Sequence, residues 1–99
     1  MEKFNLENLR GLEGAKVTLA SEYASQQATI KGVQEFTANG AQWEAFTLTL
    51  DVPKNDELAL YQGTYKISHE KFGELALFAS PNTDTELEFV MTRKLNHAV

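Results

Sequence analysis

His69 is the side chain best suited by type to acid–base chemistry, because an unperturbed imidazole titrates near neutrality. It follows Ser68 and precedes Glu70, and Tyr65 lies four residues back on the same strand face by parity. A hydrolytic role would require a nucleophile and an orienting group within hydrogen-bond reach of that ring. The competing reading is a structural histidine whose ring bonds the backbone of a neighbouring loop. Its place at a strand end beside a hairpin favours that second reading. His97, near the C-terminus, is assigned no role. Two histidines among scattered carboxylates show no metal-ligand spacing, so no metal is expected.

The carboxylates offer little more. Glu86 and Glu88 share a face of the last strand, and Glu70 and Glu74 flank a hairpin. Glycoside hydrolysis needs two carboxyl groups across a cleft, and a chain of 99 residues needs most of its interior for core. A solvated strand face is the simpler account. The six glycines are scattered as turn punctuation, without a phosphate-cradling loop, and no zinc-binding helix signature is present, so no cofactor is expected. Trp43, Tyr61, Tyr23 and Phe72 fall outside the cleanest inward registers. They can cap the edge of the core or anchor protein or carbohydrate contacts. The candidate binding residues are therefore His69, Tyr65, Trp43 and Tyr61. Arg93, ending the last strand, pairs with an acidic neighbour or binds an anion, and the former is the commoner arrangement.

These residues must be positioned by a small β framework. Asn5 can cap a short helix in which Leu6, Leu9 and Leu12 recur at a spacing of three, with Phe4 as a staple and Gly11 and Gly14 ending it. The period then changes to two. Lys16–Glu22 places Val17 and Leu19 on one face, and Ala28–Thr37 carries Ile30, Val33 and Phe36 with Gly32 marking a bulge. Asn39-Gly40 signals a tight hairpin. Trp43–Val52 alternates with Phe46, Leu48, Leu50 and Val52 inward, and Ala45, Thr47, Thr49 and Asp51 outward, until Pro53 stops it. A connector over 57–62, with room for a single helical turn, leads to Gly63–His69 and a hairpin at Glu70–Gly73. Leu75-Ala76-Leu77-Phe78-Ala79 reads as a strand covered on both faces. Ser80–Asp84 reads as a turn cluster, and Leu87–Arg93 closes the fold ahead of a tail at Asn96–Val99.

The expected architecture is mainly β. It has about six antiparallel strands in a small barrel or two-layer roll, with one short N-terminal helix, over residues 1–99 as a single domain. The net charge of −5 is spread along the chain, which removes most of the electrostatic attraction to nucleic acid or an anionic membrane. No cysteine is present, which excludes disulfides and thiol nucleophiles. No secretory signal and no apolar run long enough to span a bilayer is visible, so a cytoplasmic location is expected. An exposed edge strand can pair with a second copy, so a homodimer is compatible with the sequence.

Gln62-Gly63-Thr64-Tyr65, Ile67, His69, Phe72-Gly73, Leu77-Phe78, Pro81 and a terminal strand ending in Arg93 form a scattered pattern. So do Phe4, Leu9, Leu12, Gly14 and Phe46-Thr47-Leu48 in the first half. Together they resemble a family of small bacterial proteins of unknown function, often encoded beside phage-tail-collar-like fibre proteins. Tyr61 stands where that family commonly has a proline, which leaves the turn less rigid. The resemblance implies an accessory or assembly-linked module and supplies no catalytic residues. The pattern itself also reads as fold-specifying: Gly63 for a tight start to a strand, Tyr65 as core filler, Phe72-Gly73 for a hairpin. The functional expectation is a non-catalytic protein-interaction module whose partner is another protein. The alternatives are a small-molecule or carbohydrate binder using a barrel mouth, and a hydrolase centred on His69.

Overall fold

A computed structural model describes residues 4–36, 43–55 and 58–94. The chain begins with the helix α1 (Leu6–Arg10), which Asn5 caps by accepting from the Asn8 N–H at 2.9 Å. Five residues cannot hold a helix alone, so α1 depends on burying Leu6 and Leu9 against the sheet. Gly14 then takes φ +87, a left-handed conformation that turns the chain into the first strand.

Six strands follow: β1 (Lys16–Ala20), β2 (Ser25–Glu35), β3 (Trp43–Asp51), β4 (Gly63–His69), β5 (Gly73–Thr83) and β6 (Glu86–Lys94). All described pairings are antiparallel, and the strands close into a barrel in the order β1-β2-β3-β6-β5-β4. Closure removes the need for a second layer, since every inward side chain faces the same interior. Val17, Leu19, Ile30, Phe46, Leu48, Leu50, Tyr65, Ile67, Leu87 and Phe89 fill it, as alternation requires. Phe4, Leu9, Leu12 and Leu58 join the same cluster from the helix and connector. The ladder shifts register between Ile30 and Gly32, as the glycine signalled. Glu13 accepts from the Val33 N–H beside that shift at 3.2 Å.

Several local expectations change. The run at Leu75–Ala79 is covered on one face only: Leu77 is half-buried and Ala79 buried, whereas Phe78 is 57% exposed. The sheet is a single layer here, so the outward parity meets solvent. Residues 80–83 are not a turn. Strand β5 runs through them to Thr83, with Pro81 at a ladder irregularity, where its missing N–H costs nothing. The turn falls at Asp84-Thr85. Phe72, outside the inward registers, takes the first of its two readings and caps the core edge, buried as the hairpin folds its ring back over the barrel end. Ala45 keeps its outward register yet is buried. Residues 58–62 form no helical turn. The Asn39-Gly40 hairpin, the Asn96–Val99 tail and His97 lie outside the described residues.

The ladders are unequal around the barrel. Strands β3 and β6 pair along their whole length, from Trp43 opposite Lys94 to Asp51 opposite Glu86. Strands β5 and β6 pair only at Ser80–Glu88, Pro81–Leu87 and Thr83–Glu86. Beyond Ser80 and Glu88 the ladder stops, leaving a gap in the pairing among the described residues. Phe4 spans the end of the barrel where that ladder has stopped: its ring lies 5.1 Å edge-on from Phe72 on the β4–β5 hairpin and 6.3 Å from Phe46 on β3. Aromatic packing there stands in for ladder hydrogen bonds.

Candidate functional site

The segment around Tyr65 is locally over-determined. The Tyr65 hydroxyl accepts from the Tyr61 N–H at 2.7 Å and donates to the Tyr61 carbonyl at 2.7 Å. The two rings lie 4.8 Å apart, tilted by 31°. Tyr65 is buried, and burial pushes its phenol above the ordinary tyrosine value. Its polar atom is therefore fully used in fastening the connector to the barrel. The Tyr61 ring also lies over Gly63, where a Cβ would sit 2.6 Å from its Cε2. Close approach, and not an unusual backbone angle, is what the glycine supplies.

His69 ends β4. Its Nδ1 accepts from the Lys71 N–H at 3.0 Å, and its ring stacks on Phe72 with centroids 5.6 Å apart. One ring nitrogen is thus engaged in shaping the hairpin. Tyr65 and His69 share a strand, but the Tyr65 hydroxyl is directed to Tyr61, so the two do not form a reacting pair. Trp43 opens β3 opposite Lys94, and its side chain lies outside the described residues. The candidate residues therefore divide into a structural pair, Tyr61 and Tyr65, and a separate hairpin histidine.

A polar groove of about 500 Å³ runs over the outside of β2, β3 and β6, lined by Glu13, Lys31, Gly32, Asn82, Glu86 and Glu88 among others. Lys31 donates to Glu86 at 2.6 Å, and the Asn82 amide donates to Glu86 at 2.8 Å and to Glu88 at 3.3 Å. The Lys31 hydrogen bond, then that of Asn82, holds the Glu86 carboxyl below its usual range, and the same contact raises Lys31. No group of three metal-ligating side chains occurs among the described residues.

Residues 4–91 match DUF6916, a domain of unknown function. The chain belongs to that family. No curated protein and no solved structure matches it.

The residues of this DUF6916 domain to which the sequence reading gave no binding role are Phe78, taken as covered, and Val90. They are 57% and 58% exposed, on adjacent strands, and both line a depression of about 200 Å³ with Ala79, Ser80 and Glu88. A neighbouring depression of about 270 Å³ lies over Ala20, Thr64, Lys66 and Ala76. Parity was the available signal. Phe78 stands out of phase with Leu75, Leu77 and Ala79, and Val90 out of phase with Leu87, Phe89 and Met91.

Proposed function

We propose that this domain is a non-catalytic protein-interaction or assembly-accessory module that binds another protein through the outer face of β5 and β6. The observation that carries this reading is the exposure of Phe78 and Val90, which line one depression on the outside of the barrel. Two exposed apolar side chains lining one depression on a small acidic surface are a costly arrangement unless a partner covers them. The barrel interior is filled by Phe46, Tyr65, Phe89 and aliphatic neighbours, which weighs against a ligand held inside it. The engaged Nδ1 of His69 weighs against a hydrolase centred there.

The finer reading follows from the resemblance of Gln62-Gly63-Thr64-Tyr65 and its companions to small bacterial proteins encoded beside phage-tail-collar-like fibre proteins. On that basis the partner belongs to a phage-tail-like assembly in a bacterial cytoplasm. Co-purification from the native host with the tagged full chain tests this. A stoichiometric protein partner from such an assembly is the expected result. Recovery of the chain without a stable partner would sink the proposal.

A further inference from the structure

We propose that the gap between β5 and β6 receives an extended segment of the partner protein, added as a strand, with a basic side chain set against Glu88. This rests on the interaction reading above and narrows it to a mode and a chemistry. Among the described residues, β5 beyond Ser80 is paired with β4 alone and β6 beyond Glu88 with β3 alone, so each presents to the gap a backbone edge with no described partner. Unpaired edges of this kind are templates for another chain. Over Gly73–Ala79, the β5 edge offers about 20 Å of strand at the usual rise per residue.

The side chains along the gap suit such an occupant. Continuing the Ser80–Glu88 register would set Ala79 opposite Phe89, Phe78 opposite Val90 and Leu77 opposite Met91. Every one of these is apolar, on the inward face and the outward face alike. Leu77 and Met91 remain only partly buried. An inserted segment with apolar residues at successive positions would therefore meet apolar neighbours on both faces. At the closed end of the gap stands Glu88, held by the Asn82 amide. A second copy of this chain would bring the same acidic residue and another net −5. Charge complementarity favours a different protein, whose strand carries lysine or arginine at the position reaching Glu88.

The test uses the full chain and a ribosome-displayed library of nine-residue peptides. Apolar β-branched residues occupy the central positions, and lysine, arginine, glutamate or serine is varied at one end. Selected peptides should carry lysine or arginine there. They should slow amide exchange over residues 74–79 and 89–92, and bind Glu88→Lys at least roughly tenfold more weakly. An Ala76→Cys/Thr92→Cys variant, which leaves Phe78 and Val90 in place, should lose binding when bridged across the gap by a cleavable bis-maleimide and regain it on cleavage; the native chain has no cysteine to interfere. Failure to select any peptide, protection elsewhere, or indifference to both changes would overturn the inference. A co-purified partner that protects another surface would do the same while leaving the interaction reading in place.

Discussion

The Tyr65 hydroxyl holds both hydrogen-bonding groups of the Tyr61 backbone, accepting from its N–H and donating to its carbonyl at 2.7 Å each. One buried phenol thereby satisfies the two groups of a connector residue that has no ladder to join. Replacing Tyr65 by Phe keeps the ring and removes both bonds. The expected loss is about 1–3 kcal/mol in urea unfolding, because the Tyr61 groups are left unpaired. Ring truncation by Tyr65→Ala should cost more, about 3–5 kcal/mol.

The same burial makes a prediction in alkali. A phenol raised in the folded state stabilises the fold fully below the unfolded value near 10 and loses that contribution as pH rises through the folded value. The Tyr65 ring-carbon NMR titration should therefore have its midpoint above about 10. The alkaline fall in stability should be shallower in Tyr65→Phe. A Tyr65 midpoint at or below the ordinary value would contradict the geometry.

Gly63 answers to Tyr61 in the same cluster. Because a Cβ at Gly63 would sit 2.6 Å from the Tyr61 ring, Gly63→Ala must push that ring aside, at about 1–3 kcal/mol. Removing the ring as well, in Gly63→Ala/Tyr61→Ala, should make the combined loss smaller than the sum of the two single losses. Strict additivity in that double-mutant cycle would show that the two residues do not meet.

Much of this fold was legible because burial alternates cleanly where a strand has one wet face. Phe46, Leu48 and Leu50 announced β3, and Val17 and Leu19 announced β1. Asn5 and Gly11 marked the ends of the helix by their chemistry, and Gly14 the turn into β1. What could not be read was three-dimensional. Pro81 and Asn82 look like turn residues, and only the neighbouring β6 shows that a strand passes through them. Leu75–Ala79 looks buried throughout, and only the closed single layer shows that Phe78 faces out. Tyr61 and Tyr65 were visible as candidates, but their mutual hydrogen bonds depend on how the connector folds back.

Phe4 joins β3 and the β4–β5 hairpin at the end of the barrel where the β5–β6 ladder has stopped. Phe4→Ala should destabilise by about 3–5 kcal/mol, as for other large aromatic truncations in a core. Phe4→Leu should cost clearly less. Both are read by thermal and urea unfolding. A loss below about 1 kcal/mol for Phe4→Ala would mean that the gap is closed by other contacts.

The Lys31–Glu86 pair gives a pH window. A carboxyl held low stabilises the fold above its unfolded value near 4.3 and loses that contribution as pH falls through the folded value. An ammonium held high stabilises below its unfolded value near 10.4 and loses that contribution as pH rises through the folded value. The pair therefore acts fully between those limits. In Lys31→Met, the Glu86 carboxyl-carbon titration should move up toward the ordinary glutamate value. An unmoved midpoint would show that the Asn82 amide alone holds it.

The central claim is that the outer face of β5 and β6 is the binding surface, and a single pair of affinities tests it most directly. Isothermal titration of the co-purified partner into the wild-type chain and into Phe78→Ser/Val90→Ser should show at least roughly tenfold weaker binding for the variant. The melting temperature should be unchanged, because both side chains already face water. Equal affinity in a variant that folds as the wild type does would contradict the account.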